Sequence, residues 1–166
     1  MADNLLNKVY TPMDESQTRD FYDKWSDQYE ADVGSAGYAT PGRAAKALAA
    51  AVADQGSAIL DFGCGTGLSG LAFAEAGFTV IDGIDPSGEM LEGARAKGVY
   101  RTLTQIEPGS ALPLGYDAIA AVGVIGFGAA PVSVFDDVMA ALAPGRALCA
   151  ELQRPRVGAS RVHGKA

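Results

Sequence analysis

Apolar segments alternate with amphipathic segments along most of this chain. The apolar segments predict five strands, at 58–62, 78–85, 99–103, 117–124 and 147–152. The amphipathic segments predict five helices, at 18–32, 40–55, 68–76, 88–97 and 134–143. Strands that alternate with helices indicate a doubly wound α/β fold with a mainly parallel sheet, which explains why the fourth strand is apolar on both faces. Right-handed crossovers and a switch point beside strand one predict the strand order 3-2-1-4-5.

A glycine-rich loop follows the first predicted strand. Residues 59–70 read Ile-Leu-Asp-Phe-Gly-Cys-Gly-Thr-Gly-Leu-Ser-Gly. Gly63, Gly65 and Gly67 alternate there, and glycine lets the backbone turn tightly and approach a ligand closely. The helix that follows directs its free N–H groups and the positive end of its dipole at this loop. The pattern predicts a site for a nucleotide cofactor.

The loop also matches the dinucleotide fingerprint G-x-G-x-x-G, from Gly65 to Gly70. In that fold the first glycine follows the strand directly and the helix terminus binds an anionic pyrophosphate. Asp61 would repel the phosphates, whereas it would favour a ligand with an ammonium group, such as the methionine part of S-adenosylmethionine. An NAD(P)-binding oxidoreductase stays the alternative.

Residues 61–67, Asp-Phe-Gly-Cys-Gly-Thr-Gly, closely resemble motif I of the class I S-adenosylmethionine-dependent methyltransferases. The resemblance implies a Rossmann-like methyltransferase sheet, S-adenosylmethionine as the cofactor and methyl transfer as the reaction. It also implies a set of cofactor contacts in the loop. These are Asp61, Gly63, Cys64, Gly65 and Gly67.

A second cofactor segment begins at the end of the second predicted strand. Asp85 lies about 20 residues past the glycines, at the spacing of a carboxylate that binds a ribose. Residues 85–91 resemble the D-x-S-x-x-M-L segment of the same family, in which the methionine packs on adenine. This implies that Asp85, Pro86 and Met90 contact the cofactor. The alternative is an acid in an exposed turn and a methionine in the core.

Two further regions resemble parts of the family. After strand three the family carries an acid that binds the adenine amino group, and the Leu112-Pro113 pair places Glu107 there, with Ile106 beside the ring. Residues 1–40 resemble the N-terminal lid of small-molecule methyltransferases, including the group related to the Williams–Beuren-region methyltransferase. Within it we expect residues 1–13 to be loosely ordered. Tyr29 is either a buried ring or a lid side chain over the cofactor.

The composition limits the partners and the compartment. The 166 residues are 48% hydrophobic and 20% charged, which is ordinary for one globular domain. The net charge of −7 argues against a nucleic-acid partner, and no segment reads as a signal or a membrane span. The two cysteines form no metal or disulfide pattern. We therefore expect a cytoplasmic protein without a metal that acts on a small-molecule acceptor.

No catalytic residue is assigned from the sequence. Methyl transfer depends mainly on holding the acceptor in line with the methyl group. The residues after strand four, 124–128, are where the acceptor of the family usually lies, and they read Val-Ile-Gly-Phe-Gly without an evident base. A chain that binds the cofactor without turnover is a further alternative.

The C-terminal segment departs from the family. Residues 146–166 carry five of the 13 basic residues and one acid, a net charge of +4 against −11 for residues 1–145. We place the domain at 1–153 and an aberrant basic tail at 154–166. When residues 152–165 are back-translated and read one base later, the codons allow a sequence that resembles the family after strand five. This favours a frameshift over a natural short paralogue with a basic tail.

The frameshift has a structural consequence. The chain would lack the usual C-terminal strands, so strand five would be an unpaired edge that favours self-association. We expect the activity to be impaired.

Overall fold

The computed structural model describes residues 5–8, 11, 13–126 and 129–153. The strands are β1 (Ala58–Phe62), β2 (Val80–Asp85), β3 (Thr102–Gln105), β4 (Ala118–Gly126) and β5 (Ala147–Gln153). The helices are α1 (Leu5–Lys8), α2 (Glu15–Ser35), α3 (Thr40–Ala51), α4 (Leu68–Glu75), α5 (Gly88–Lys97) and α6 (Val134–Ala141). All strand pairs are parallel and the order is β3-β2-β1-β4-β5. The predicted fold class and strand order are confirmed.

Helices cover both faces of the sheet. Neighbouring residues of a strand point to opposite faces, so each strand packs against helices on both sides. Ile59 packs in a cluster with Leu48 of α3 and Phe73 of α4. Leu60, the next residue along β1, packs in a second cluster with Val138 of α6. All five of these side chains are almost fully buried. The polar ends of the strands are therefore left to form the site.

Strand β3 lies further along the chain than the predicted segment 99–103. Gly98 ends α5 in the left-handed conformation, with φ of 67°. Tyr100 then packs against the cluster of buried residues on α5, and pairing with β2 begins only where Thr102 meets Asp82. Tertiary packing of the tyrosine thus removes the first part of the predicted strand from the sheet.

The N-terminal segment is also more regular than predicted. Helix α2 begins at Glu15 rather than at residue 18, because Asp14 and Gln17 form a capping box. The Asp14 side chain accepts a hydrogen bond from the Gln17 N–H at 2.8 Å, and the Gln17 side chain accepts one from the Asp14 N–H at 3.0 Å. The short helix α1 lies within the segment that we expected to be loosely ordered.

Strand β5 pairs with β4 at one edge of the sheet, starting where Ala147 lies opposite Ala118. No second strand pairs with β5 among the described residues. The predicted tail at 154–166, and with it the frameshift, lies outside the described residues, so self-association through this edge stays a prediction. Within the described part of the chain, no helix has the length and hydropathy needed to cross a membrane.

Candidate cofactor site

A cavity of about 600 Å³ opens at the carboxyl ends of β1, β2 and β4. Seven of the predicted cofactor contacts line it: Tyr29, Gly63, Gly65, Asp85, Pro86, Met90 and Ile106. Four do not line it: Asp61, Cys64, Gly67 and Glu107. The structure therefore divides the predicted contacts into those that line this cavity and those that lie behind or beside it, and their contact with a cofactor stays a prediction.

The glycine loop is held by backbone hydrogen bonds to β2. The N–H groups of Gly63 and Cys64 both donate to the Ile84 carbonyl, at 2.8 and 3.1 Å. Gly63 has a φ of 67°, and a Cβ on it would lie 2.5 Å from Cγ2 of Val124 on β4. Only glycine meets both conditions at this position. The backbone at Gly63 therefore lies directly against the Val124 side chain of β4.

Asp85 links this loop to the second cofactor segment. Its carboxylate accepts hydrogen bonds from the N–H groups of Gly65 and Ser87, each at 2.9 Å. Burial raises the pKa of Asp85 to about 6, although these two hydrogen bonds lower it. Each carboxylate oxygen keeps a further acceptor position, so hydroxyl groups of a ligand can still bind. Met90, 2% exposed, lies nearby in the cavity wall.

Asp61 lies beneath the loop rather than in the cavity wall. The side chain is fully buried, and its Oδ2 accepts hydrogen bonds from the hydroxyls of Ser69 and Tyr100, each at 2.7 Å. Its Oδ1 is buried without a hydrogen-bond partner among the described residues. Burial is the largest cause that raises the pKa of Asp61 to about 7, and the charge of Asp85 adds to it.

The two buried carboxyl groups make this end of the sheet electronegative. No ion pair among the described residues includes Asp61 or Asp85. A buried charge without a counterion is costly, so each carboxyl group would be stabilised in its ionised form by a positive charge nearby. The arrangement therefore favours a cationic ligand and disfavours an anionic one.

These raised pKa values predict how the stability of the ligand-free chain depends on pH. The folded pKa of each carboxyl group exceeds its unfolded value of 3.8, so the protonated form favours the folded state more than the ionised form does. Its contribution is fully present below about pH 4 and is lost as the pH rises to about 7. We expect the free energy of unfolding from urea titrations to fall between pH 4.5 and 7.5. A rise over this window would contradict the assignment.

Cys64 and Gly67 support the loop from behind. The Cys64 side chain is 3% exposed and packs with Leu91 and Ala94 of α5. Burial raises the pKa of this thiol well above its usual value, so it stays protonated. A Cβ on Gly67 would lie 3.0 Å from the Ala94 Cα, so glycine lets α5 approach the loop closely. The structure places both residues outside the cavity.

Glu107 points away from the cavity in this structure. Its side chain is 74% exposed and pairs with Arg19 of α2, with 3.2 Å between the guanidinium and carboxylate atoms. Ile106, the preceding residue, does line the cavity. A role for Glu107 at an adenine ring stays a prediction, and the ion pair joins α2 to the loop after β3.

Tyr29 packs within its helix and also lines the cavity, and its role as a lid side chain over a cofactor stays a prediction. Its ring packs edge-on against Trp25 at a centroid distance of 4.9 Å, and it also lines the cavity. Burial and the charge of Asp85 raise the pKa of the Tyr29 hydroxyl to about 12, so the hydroxyl stays neutral. Helix α2 is thus a wall of the cavity as well as a packed helix.

The sequence did not reveal how β4 shapes the far side of the cavity. The pairing of β4 with β5 shifts register between Ala121 and Ile125, and Gly123 has a φ of 69° there. Because of this irregularity, the consecutive residues Val122, Gly123 and Val124 all line the cavity. A glycine inside an apolar strand was the available signal. Of the predicted acceptor segment, residues 127 and 128 lie outside the described part of the chain.

Several polar side chains that the sequence analysis did not single out also line the cavity. They are Asp14, Glu15, Thr18 and Arg19 around the start of α2, Ser110 in the loop after β3, and Asp137 on α6. All of them lie on elements that cover the sheet rather than on the sheet itself. Their positions depend on how those elements pack against the sheet, and no local sequence motif predicts that packing.

Sequence comparison identifies two similarities. The profile of a family described as a methyltransferase domain matches residues 38–162. Human methyltransferase-like protein 27 is 33% identical over 142 residues. The match covers 82% of this chain and 58% of that protein, so the chain spans less than two thirds of its relative.

Solved structures with a similar fold include one complex with S-adenosylmethionine and one with S-adenosylhomocysteine. CalS10 bound to S-adenosylmethionine is an amino pentose methyltransferase from Micromonospora echinaspora, with a TM-score of 0.61 and 26% identity. The similarity covers 76% of this chain and 56% of CalS10. The DhpI complex with S-adenosylhomocysteine has a TM-score of 0.60 and 21% identity, over 79% of this chain and 65% of that one, and supports the fold alone.

Proposed function

Because this chain belongs to the methyltransferase-domain family, we propose that it binds S-adenosylmethionine and transfers the methyl group to a small-molecule acceptor. The observation that carries the proposal is the pair of buried carboxyl groups, Asp61 and Asp85, at the glycine loop. S-adenosylmethionine carries two positive groups, an ammonium and a sulfonium. One of these acids lies in the cavity wall and the other beneath the glycine loop, and neither forms an ion pair among the described residues, so the cavity suits such a ligand.

The residues of the cavity fit each part of this cofactor. The free acceptor positions of Asp85 suit the ribose hydroxyls, and Met90 with Ile106 offers apolar walls for the adenine ring. The loop at Gly63 and Gly65 leaves no side chain between its backbone and the cavity. The unpartnered Oδ1 of Asp61 leaves a buried negative charge beneath the loop, which the positive ammonium group would offset.

The chemistry asks little of the side chains. The bound cofactor supplies an activated methyl group, so the protein contributes mainly by orienting the acceptor in line with it and by excluding water. The cavity volume of about 600 Å³ is that of a small-molecule site. Val122, Val124 and Pro131 give its far wall an apolar surface that would hold part of an acceptor.

The main alternative is an oxidoreductase that binds NAD(P) in the same cavity. Its pyrophosphate would come close to Asp61 and Asp85, and no described lysine or arginine pairs with either acid to offset the repulsion. A second alternative is a chain that binds S-adenosylmethionine but transfers no methyl group. It differs from the proposal only in turnover, so binding and transfer need separate measurements.

Calorimetry with S-adenosylhomocysteine and with NAD distinguishes the two ligand classes. We expect S-adenosylhomocysteine to bind and NAD not to bind. Asp85→Ala should weaken binding by about 1–2 kcal/mol, about five- to thirtyfold, because it removes acceptors for the ligand. Asp27→Ala, at an exposed position of α2, should leave the affinity unchanged.

Transfer of radiolabelled methyl groups to a panel of small hydroxyl and amine compounds then tests for turnover. Binding of NAD alone would overturn the proposal. Binding of S-adenosylhomocysteine without transfer to any acceptor would favour the second alternative.

A further inference from the structure

Resting on the proposed function, we infer that Tyr100 is a positioning residue for the cofactor. Its hydroxyl joins the carboxyl group of Asp61 to the first turn of α4, directly beneath the glycine loop. The Tyr100 hydroxyl donates to Asp61 Oδ2 at 2.7 Å and accepts from the Gly70 N–H at 3.1 Å. One side chain thus fixes both the buried acid and the helix that follows the loop.

The ring of Tyr100 occupies a slot that three glycines leave open. A Cβ on Gly70 would lie 2.2 Å from the Tyr100 hydroxyl oxygen. Cβ atoms on Gly67 and Gly83 would lie 3.1 and 3.0 Å from its ring. Gly70 is the residue that completes the apparent dinucleotide fingerprint. In this structure the lack of a side chain at Gly70 makes room for a tyrosine, so the match does not require a pyrophosphate.

The hydrogen bond from Tyr100 keeps Asp61 available in its ionised form. The titratable groups that act on Asp61 are Tyr100, Asp85 of β2, Tyr38 before α3 and Cys64 of the loop, and none of them is a cation. Ser69 of α4 is the other hydroxyl donor to Asp61. Because no counterion of Asp61 lies among the described residues, the two hydroxyl groups are what offsets the burial of its carboxylate there. Removing one of them should make the acid harder to ionise and so weaken its attraction for a cationic ligand.

Tyr100→Phe removes the hydroxyl and keeps the ring in its slot. The test compares S-adenosylhomocysteine affinity of the wild type and the variant by calorimetry at pH 6 and pH 8. At pH 6 the Asp61 carboxyl group is mostly protonated and must lose its proton before it can attract the ligand. Loss of one hydrogen bond to the carboxylate makes this ionisation about tenfold less favourable. We expect a loss of about tenfold at pH 6 that shrinks to about twofold at pH 8. The titration of the ligand's amino group affects the wild type and the variant equally, so it cancels in the ratio of their affinities at each pH.

Tyr116→Phe is the matched control. The Tyr116 hydroxyl also donates to a buried aspartate, Asp82 Oδ2, at 2.9 Å, but Asp82 has a counterion in Arg101, whereas Asp61 has none among the described residues. We expect this control to bind with the affinity of the wild type at both pH values. A carbon-detected NMR titration of the Asp61 carboxyl group without ligand adds a second readout, in which Tyr100→Phe raises the midpoint and Tyr116→Phe does not.

The outcomes separate the two proposals. An equal loss at pH 6 and pH 8, or an unchanged Asp61 midpoint in a folded Tyr100→Phe protein, would overturn the positioning role and leave the proposed function intact. If the wild type binds no S-adenosylhomocysteine, the proposed function fails and the positioning role fails with it. If Tyr100→Phe fails to fold, Ser69→Ala replaces it, since Ser69 donates to the same oxygen and should give the same dependence on pH.

Discussion

Gly63→Ala is expected to lower the free energy of unfolding by about 2–6 kcal/mol. Two effects add at this position. An alanine at a φ of 67° is strained by about 1–3 kcal/mol, and its Cβ would lie 2.5 Å from Val124 Cγ2. Forcing the β4 side chain aside costs about 1–3 kcal/mol more. Urea titrations at fixed pH measure the change, and the surviving folded fraction should bind S-adenosylhomocysteine weakly because the loop is displaced.

Gly98→Ala separates strain from contact. Gly98 has the same φ of 67°, but a Cβ there has no neighbour within 4 Å, and the residue lies at the end of α5 away from the cavity. We expect the strain cost alone in this control. Val124→Ala combined with Gly63→Ala should recover part of the excess, which a double-mutant cycle measures. Equal costs for Gly63→Ala and Gly98→Ala would show that contact with Val124 contributes nothing.

The fold could be predicted because its signals are local. The apolar strands and the turn glycines each lie within a few residues of the structure that they specify, and Ser87 likewise caps α5 locally by accepting a hydrogen bond from the Met90 N–H. The strand order then follows from general rules of chirality. The start of β3 could not be predicted in this way, because Tyr100 is held away from the strand by hydrogen bonds with Asp61 and Gly70, which are 39 and 30 residues away in the sequence.

The site likewise contains residues whose positions follow from local sequence and residues whose positions depend on long-range contacts. Gly63, Gly65 and Asp85 could be placed at the cavity because parallel strands end at one edge of a sheet. Asp61 belongs to the same motif, yet its position beneath the loop depends on Tyr100, which is 39 residues further along the chain. The orientation of Glu107 likewise depends on Arg19, 88 residues away. Motif spacing places a residue on an element, but long-range partners decide where its side chain points.

Asp61→Asn should have opposite effects on stability and on binding. It removes a buried charge that has no counterion, so we expect the ligand-free chain to gain about 1–3 kcal/mol in the free energy of unfolding at pH 8. The gain should shrink as the pH falls from 8 and vanish only below about pH 4, because there Asp61 is protonated in the unfolded chain as well as in the folded chain, where its pKa is about 7. Affinity for S-adenosylhomocysteine at pH 8 should fall by about 5–150-fold, because attraction between the carboxylate and the ligand cation is worth about 1–3 kcal/mol.

Asp82→Asn provides the contrast, since Asp82 is also a buried aspartate of this sheet. Burial opposes its ionisation, but hydrogen bonds from Arg101, Thr102 and Tyr116 lower its pKa to about 2. A lowered pKa means that the ionised form stabilises the fold above about pH 4, so this variant should lose stability at pH 8 and keep its affinity for the ligand. If Asp61→Asn instead destabilises the chain at pH 8, or binds as tightly as the wild type, then its charge is satisfied within the protein and does not serve the ligand.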